Sequence, residues 1–553
     1  MQEAVNGSGV GAGTTNVEGS SGAGHGGRGG RGNGSSLTGA FYGNIINPQM
    51  FGSTGGGGKA FGGGVLFINS SGLTLDGVIK ANGQNAKVKT NHGGGSGGSI
   101  LITTGMFEGS GSLQANGGAG GVNGGGGGSG GRIAIHYDQS TFTGTTTAFG
   151  GDSPIEAGAA GTIFKRDIKN NFRHLEVHNK GRKPGSEDIN DYKTLDKDSA
   201  RTWITFSYLS SALKETTTED VELPDVPKTV LKGYEFDEVT LGGSAHLAFE
   251  GNREQIRLHS IKKLSGNFQG GSYGFLHTGP FQFIVISQTN RYIPVNLRIH
   301  RNGYLRLPSQ IMLHKNYFSL NGYLIGVNHL RISESVVTLG DRSGAEVTGL
   351  LQHRHYSFKT VTVMNRGVLK GTDTKNKFTL KVDTFTIEAG GIVTGSNVSV
   401  ESKFLTVKES GQVNVDGQGV ACEPTNILFS GSGGSHAGYG GFGAQKIDRS
   451  KPFGSVFQPK EFGRAGRSGR PTFACSGGRG GGILNFTVSG TMTIEGAISS
   501  RYRRFKKVLR NIFKPAQIPV AGKLIQDLIK LTMYSVYNCS ANLQLYVQLL
   551  AIT

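Results

Sequence analysis

Short stretches in which every second residue is apolar, bounded by glycine, serine or asparagine, recur along most of this chain. Ser99-Ile100-Leu101-Ile102, Arg132-Ile133-Ala134-Ile135 and Phe236-Asp237-Glu238-Val239-Thr240-Leu241 are of this kind. Such alternation between turn formers predicts short strands joined by tight turns. A stricter formula appears further on: apolar, any, apolar, three of any, glycine, any, apolar. Leu297/Ile299/Gly303/Leu305, Val361/Val363/Gly367/Leu369, Phe385/Ile387/Gly391/Val393 and Leu405/Val407/Gly411/Val413 satisfy it, and Leu484/Phe486/Gly490/Met492 matches again. Residues two apart on a strand share a face, so each apolar pair is expected to point inward while the glycine turns the corner. The glycine positions 367, 391 and 411 imply coils of roughly 20 to 24 residues stacked on one another.

The first part of the chain has a longer rhythm. Ala81-Asn82-Gly83, Ala115-Asn116-Gly117 and Ala148-Phe149-Gly150 mark similar corners, and each unit combines a glycine run with a strand pattern. Its opening returns late in the chain. Tyr42-Gly-Asn-Ile-Ile-Asn-Pro-Gln-Met-Phe-Gly aligns without a gap on Phe453-Gly-Ser-Val-Phe-Gln-Pro-Lys-Glu-Phe-Gly, and at the same offset (453 − 42 = 411) His25 falls on His436. Fixed-offset similarity marks arrayed architectures. The expected fold is therefore all-β, a parallel β-helix or β-solenoid with glycine-rich turns, followed by an atypical helical tail. The expected organisation is a glycine-rich cassette over 1–164, a charged insertion or boundary over 165–230 and further coils over 231–415. A second, incomplete cassette over 416–500 and a basic amphipathic tail foreign to the repeat over 501–553 complete it. The incomplete second cassette and a start without a secretory signal lead us to expect a fragment of a longer protein.

Composition supports repetition over compact domains: glycine accounts for 94 of 553 residues and only 35% are hydrophobic. The formal charge of +19 invites a nucleic-acid reading. From Arg501 onward, however, nine Lys and Arg face one acid, Asp527, so the body is only mildly basic. Arg28-Gly-Gly-Arg31-Gly looks like an arginine-glycine box but has only two arginines, and no nucleic-acid partner is expected. No apolar run reaches the roughly 18 residues of a membrane span, so no transmembrane segment is expected.

The candidate chemistry is thin. Gly56-Gly-Gly-Lys59-Ala60 lacks both the first glycine and the Ser or Thr of a phosphate loop. Gly117 to Gly131 contains no acid, so calcium of the β-roll kind is not expected. His353 and His355, like the repeated His25 and His436, lack further ligands at metal spacing. Asp237, Glu238, Asp341 and Glu346 are acids near strands without forming a catalytic constellation. No catalytic, cofactor-binding or metal residues are assigned and no cofactor is expected. Cys422 and Cys475 both lie in the second cassette and both lack a counterpart in the first; this suggests a disulfide, although spacing leaves two independent thiols equally open. Glycosylation sequons occur at Asn6, Asn33, Asn69, Asn397, Asn485 and Asn538, a number near chance in a chain this rich in Asn, Ser and Thr; Asn69, Asn397 and Asn485 are the candidate glycosylation sites.

Residues 19–151 and 411–500 resemble the large glycine-rich, β-helix-like proteins of animal cell surfaces and extracellular matrices, some of them from the organic matrix of mineralised skeletons. His25-Gly-Gly-Arg-Gly, Tyr42 to Gly55, the Gly-Gly-Ser-Gly-Gly-Ser-Ile-Leu-Ile run from Gly94 and Ala115-Asn-Gly-Gly carry the resemblance. It implies a secreted, non-enzymatic structural protein whose partners are polysaccharide or matrix proteins. A carbohydrate-active β-helix enzyme and a cell-surface adhesin are the alternatives.

Overall fold

The computed structural model describes residues 9–34, 37–182, 201–204, 230–251, 256–269, 272–300, 302–340, 356–371, 377–419, 462, 480–500 and 544–546. Cys422, Cys475, His353, His355, His436, Asp341, Glu346, the Phe453 to Gly463 match except Phe462, and nearly all of the tail lie outside them. Among the described residues the chain is all-β, with no helix. It forms two compact units, residues 1–354 with 366–369, and residues 355–365 with 370–553.

The first unit begins with β1 (Val65–Thr74), β2 (Val78–Lys80), β3 (Ser99–Glu108), β4 (Ser112–Gln114), β5 (Arg132–Ser140), β6 (Thr145–Thr147), β7 (Thr162–Asp167) and β8 (Phe172–His178). It continues with β9 (Thr202–Ile204), β10 (Val230–Gly242), β11 (His246–Phe249), β12 (Ile256–Asn267), β13 (Phe275–Thr278), β14 (Gln282–Ile286), β15 (Asn296–Ile299) and β16 (Tyr304–Arg306). One sheet runs β1-β3-β5-β7-β8-β10-β12-β14-β16 and on to a tenth strand, Tyr323–Ile325, a second contains β9-β11-β13-β15, and a small third is β2-β4-β6. Pairing is parallel except for the β7–β8 hairpin, where Asp167 faces Phe172. Each strand lies beside one a whole repeat further on: Val65 on Ser99, Ser99 on Arg132, and with shorter steps Phe283 on Tyr304 and Tyr304 on Tyr323.

Apolar side chains stack in columns along this order. Leu66, Ile100, Ile133 and Ile163 are register partners, as are Ile68, Ile102 and Ile135. All of them but Leu66, which is 37% exposed, share a core with Phe107, Leu113 and the corner residues Ala81, Ala115 and Ala148. Burial of a full aliphatic side chain contributes roughly 1.5–3 kcal/mol, so each added repeat stabilises the one before it.

Apart from the turns at 56–58 and 122–124, where Gly57, Gly58 and Gly124 have positive φ, the glycine runs do not serve as turns. They form a buried lattice outside the strands, in which successive residues address different neighbours with a period of three. Gly93 and Ser96 donate to Gly56 and Ser53, Gly94 and Gly97 to Gly126 and Ser129, and Gly95 and Gly98 to Gln84 and Ala81. The Gly126–Gly131 run repeats the scheme: Gly126 and Ser129 donate to Ser20 and Ala23, Gly127 and Gly130 to Glu156 and Ala159, Gly128 and Gly131 to Gly118 and Ala115. A three-residue period without internal hydrogen bonds belongs to a polyproline II-type helix. Such segments pack this closely only without side chains: a Cβ on Gly94 would stand on the Gly118 carbonyl oxygen, and one on Gly97 on that of Ala115.

In the second unit Val361/Val363 lie beside Phe385/Ile387, which lie beside Leu405/Val407. Two features differ from the sequence formula. Its glycine does not itself take the left-handed conformation at the corner; the preceding residue does, with φ of 71° at Gly390 and 63° at Ser410, and of 62° at Arg366, which belongs to the first unit. The glycine is there because the previous repeat is close: a Cβ on Gly411 would come 2.7 Å from the Ile387 carbonyl oxygen. The Leu484/Phe486 match is also out of phase, since these residues pair with Val398 and Val400, and Met492 pairs with Leu405. Of the tail expected to be helical, the three described residues, Gln544–Tyr546, form a strand antiparallel to Ile483–Val488.

Candidate functional site

The recurring opening segment meets the strands at a cluster built on His25, Tyr42 and Arg132. Arg132 opens β5 and is fully buried. Its guanidinium donates to neutral oxygens: Tyr42 O at 2.8 Å, Trp203 O at 3.1 Å, Thr162 Oγ1 at 3.3 Å and His25 O at 3.5 Å. Burial lowers its pKa to about 10 despite the favourable influence of Tyr234 and Tyr42. The His25 ring stacks on Tyr42 at 4.5 Å and hydrogen-bonds Gly97 O through Nδ1 at 2.7 Å. Since a carbonyl only accepts, Nδ1 carries the proton. Burial, then the Arg132 charge, takes the His25 pKa down to about 3, so the ring is neutral. The Tyr42 hydroxyl donates to Phe51 O at 2.6 Å and lies 2.7 Å from Ser53 Oγ, and burial raises its pKa to about 12.

Chemically this cluster is a clamp. All three side chains are buried, and the guanidinium is spent on carbonyl and hydroxyl oxygens, so the cluster presents no group to a reactant at the surface. The serines of the Gly-Gly-Ser-Gly-Gly runs complete it, with Ser96 Oγ accepting from Ser53 N–H and Ser129 Oγ from His25 N–H. Their recurrence was visible in the sequence; the roles of Arg132 and Trp203 were not. Arg28 lies over the Phe41 ring at 5.5 Å, and Phe41 stacks on Trp203 at 5.0 Å.

A second repeated constellation explains the Ala-Asn-Gly corners. Asn82 Oδ1 accepts the Asn116 N–H at 2.7 Å, and Asn116 Oδ1 accepts the Phe149 N–H at 2.8 Å. Asn85 does the same for Ala119 at 2.8 Å, and Asp76 for Ser110 at 2.9 Å. Each side chain thus satisfies a backbone donor 33 or 34 positions on. We expect Asn116→Ala to leave the Phe149 N–H without this acceptor and to cost about 1–3 kcal/mol in urea unfolding. Unchanged stability would mean that the ladder does not hold the repeats together.

The other sequence candidates are dispersed. Asp237 is bound by Lys262 at 2.7 Å and by Arg173 at 3.3 Å, whereas Glu238 is bound by Lys263 at 2.9 Å and Ser265. Burial alone would raise both pKa values, but these partners outweigh it and hold both below their usual range. Asn69 is exposed on β1, while Asn397 and Asn485 are half-buried and Asn485 Nδ2 reaches Ser399 Oγ at 3.5 Å. A feature the sequence did not flag is a buried file of histidines, with His246 Nδ1 3.1 Å from His277 Nε2 and His277 Nδ1 3.1 Å from His300 Nε2. No set of three or more His, Cys, Asp or Glu suited to a metal occurs among the described residues. No helix among them is long and apolar enough to cross a membrane. Compared with known proteins, the chain matches no family model, no curated protein and no solved structure.

Proposed function

We propose that this protein is a non-enzymatic extracellular structural protein whose strands build parallel β-solenoid coils, of the glycine-rich matrix type that its cassette resembles. One observation carries this reading most. The repeated polar residues are used inside the fold: Asn82 and Asn116 tie one repeat to the next, and Ser96 and Ser129 tie the glycine runs to the opening segment. Selection for catalysis would instead gather polar groups in one accessible place.

Polysaccharide or matrix proteins are the partners we propose. The small β2-β4-β6 sheet supports this, because Lys80, Gln114 and Thr147 stand in register, as do Val78, Ser112 and Thr145. Parallel strands ~4.8 Å apart thereby present one row of ammonium, amide and hydroxyl groups and, beside Val78, a pair of hydroxyls, a surface suited to a repeating polar polymer. The test is incubation of purified protein with acidic and neutral polysaccharides, reading retention and product release. Retention without any shortening of the polymer is expected; release of oligosaccharides would overturn the reading in favour of an enzyme.

A further inference from the structure

Asn33, Asn82, Asn116, Asn123, Asn302 and Asn321 each precede a glycine. Asparagine before glycine is a pair prone to modify itself, because glycine has no Cβ to shield its amide nitrogen from the asparagine side chain. In a folded chain the reaction runs only where that nitrogen and the side-chain amide are free to meet. The fold gives these equal dipeptides unequal freedom.

Asn82 and Asn116 are tied at three points. Each Oδ1 accepts a backbone N–H of the next repeat. Asn82 Nδ2 donates to Gln114 Oε1 at 3.2 Å, and Asn116 Nδ2 to Thr147 Oγ1 at 3.0 Å. The attacking nitrogens are held as well, since Gly83 N–H donates to Asn116 O and Gly117 N–H to Phe149 O, both at 2.8 Å. Asn302 and Asn321 are half-buried, and Gly303 N–H donates to His300 O at 3.0 Å.

Asn123 stands apart. It lies exposed in the turn at 122–124, where its N–H donates to Thr90 O at 3.1 Å and Gly124 O accepts the Asn33 N–H at 2.8 Å. Between these two bonds, neither the Asn123 side chain nor the Gly124 N–H has a hydrogen-bond partner among the described residues. Exposure alone does not make the difference, because Asn82 is exposed too. Asn33 is the nearest rival, but a Cβ on Gly34 would lie 2.5 Å from Glu18 Oε2. A carboxylate there opposes loss of the Gly34 amide proton.

We propose that Asn123 is a site of spontaneous deamidation, with water as the co-reactant. The Gly124 nitrogen loses its proton to hydroxide and attacks Asn123 Cγ. A Cγ–N bond forms, the Cγ–Nδ2 bond breaks, and Nδ2 leaves as ammonia, taking a proton from water. Water then opens the resulting succinimide at either of its carbonyl carbons, leaving aspartate or isoaspartate. Each event adds a negative charge, and the isoaspartate form routes the backbone through the side-chain carbon between the Thr90 and Asn33 hydrogen bonds. The inference does not rest on the function proposed above.

The full chain is held for weeks at mildly alkaline pH, in native buffer and in urea, then digested and its asparagine peptides followed by mass spectrometry. In native buffer Asn123 is expected to convert at least about tenfold faster than Asn82 and Asn116, which must first break their hydrogen bonds, and ahead of Asn33, Asn302 and Asn321. In urea the ties are gone and Asn82 and Asn116 are expected to catch up. An unmodified Asn123, any other of these asparagines converting as fast in native buffer, or the same order in urea would overturn the proposal.

Discussion

Gly94→Ala is expected to abolish the cooperative folding of the first unit, whereas Gly77→Ala leaves it intact or slightly more stable. Both replace glycine by the smallest side chain, and neither glycine has a positive φ. They differ in what the new methyl meets. At Gly94 it would stand on the Gly118 carbonyl oxygen inside the lattice, with the Ala119 carbonyl oxygen 2.9 Å away, and at Gly77 it has no neighbour within 4 Å. Backbone cannot move aside without breaking the Gly94-to-Gly126 bond and the contacts that follow from it. A loss above about 4 kcal/mol, or no transition at all, is therefore expected at Gly94. At Gly77 the reduced entropy of the unfolded chain gives a gain of about 0.4–1 kcal/mol. Equal urea midpoints for the two variants would rule out the lattice.

Acid is expected to unfold the protein well before its carboxylates are protonated. His25 and His259 are fully buried with pKa values lowered from 6.5 to about 3. Burial is the main cause in both; at His259 the Gln282 hydrogen bond opposes it. His277 is also held well below its ordinary value, by burial first and then by Arg201. In the unfolded chain such imidazoles take up a proton near 6.5, and in the fold they do not until the pH is far lower. Stability is thus complete above the unfolded pKa and is lost as pH falls from about 6.5 toward 3. The limiting loss is on the order of 5 kcal/mol for each of His25 and His259, and about 2 kcal/mol of it is already felt at pH 5. Carboxylates with lowered pKa values, such as Asp237 and Glu238, act in a separate window, below about pH 4.5. Urea midpoints at pH 7.5 and 5.0 check this, and equal midpoints would show that the buried rings are protonated in the fold without penalty.

Much of the strand architecture could be read from the sequence because it rests on period two. Val361/Val363, Phe385/Ile387 and Leu405/Val407 were recognised as equivalent pairs, and they are register partners. The Ala-Asn-Gly corners were recognised as recurring, but their purpose was not, since an asparagine that bonds a backbone 34 positions away has no local signature. The glycine runs misled for a related reason. Glycine in a turn answers a need for positive φ, whereas here it answers the nearness of another backbone, which only long-range register discloses. Leu484 and Phe486 fitted the formula in the wrong phase because two successive apolar pairs on one long strand look alike from sequence.

The candidate cluster was half legible. His25 and Tyr42 stood out through the repeat at offset 411. Arg132 did not: a charged residue at the head of an apolar strand reads as a solvated end, and its burial depends on carbonyl groups of Tyr42 and Trp203, distant in sequence. The histidine file of His246, His277 and His300 was equally hidden, because its spacing follows the local repeat length and no motif.

The central claim is that the chain is stacked on itself in parallel, one repeat beside the next, with a step near 34 residues at the start and steps of 24 and 20 in the second unit. Cysteine pairs in a background with Cys422, Cys475 and Cys539 replaced by serine test it directly. Asn69 with Thr103, and Thr386 with Thr406, are register partners in parallel strands, within reach of a disulfide. Asn69 with Leu101 is two residues out of register, at a Cα separation of about 8 Å, too far for one. Intramolecular cross-links are expected in the two in-register pairs under mild oxidation and not in the shifted pair. Cross-linking of the shifted pair as readily as the others, or of neither in-register pair, would contradict the parallel stack.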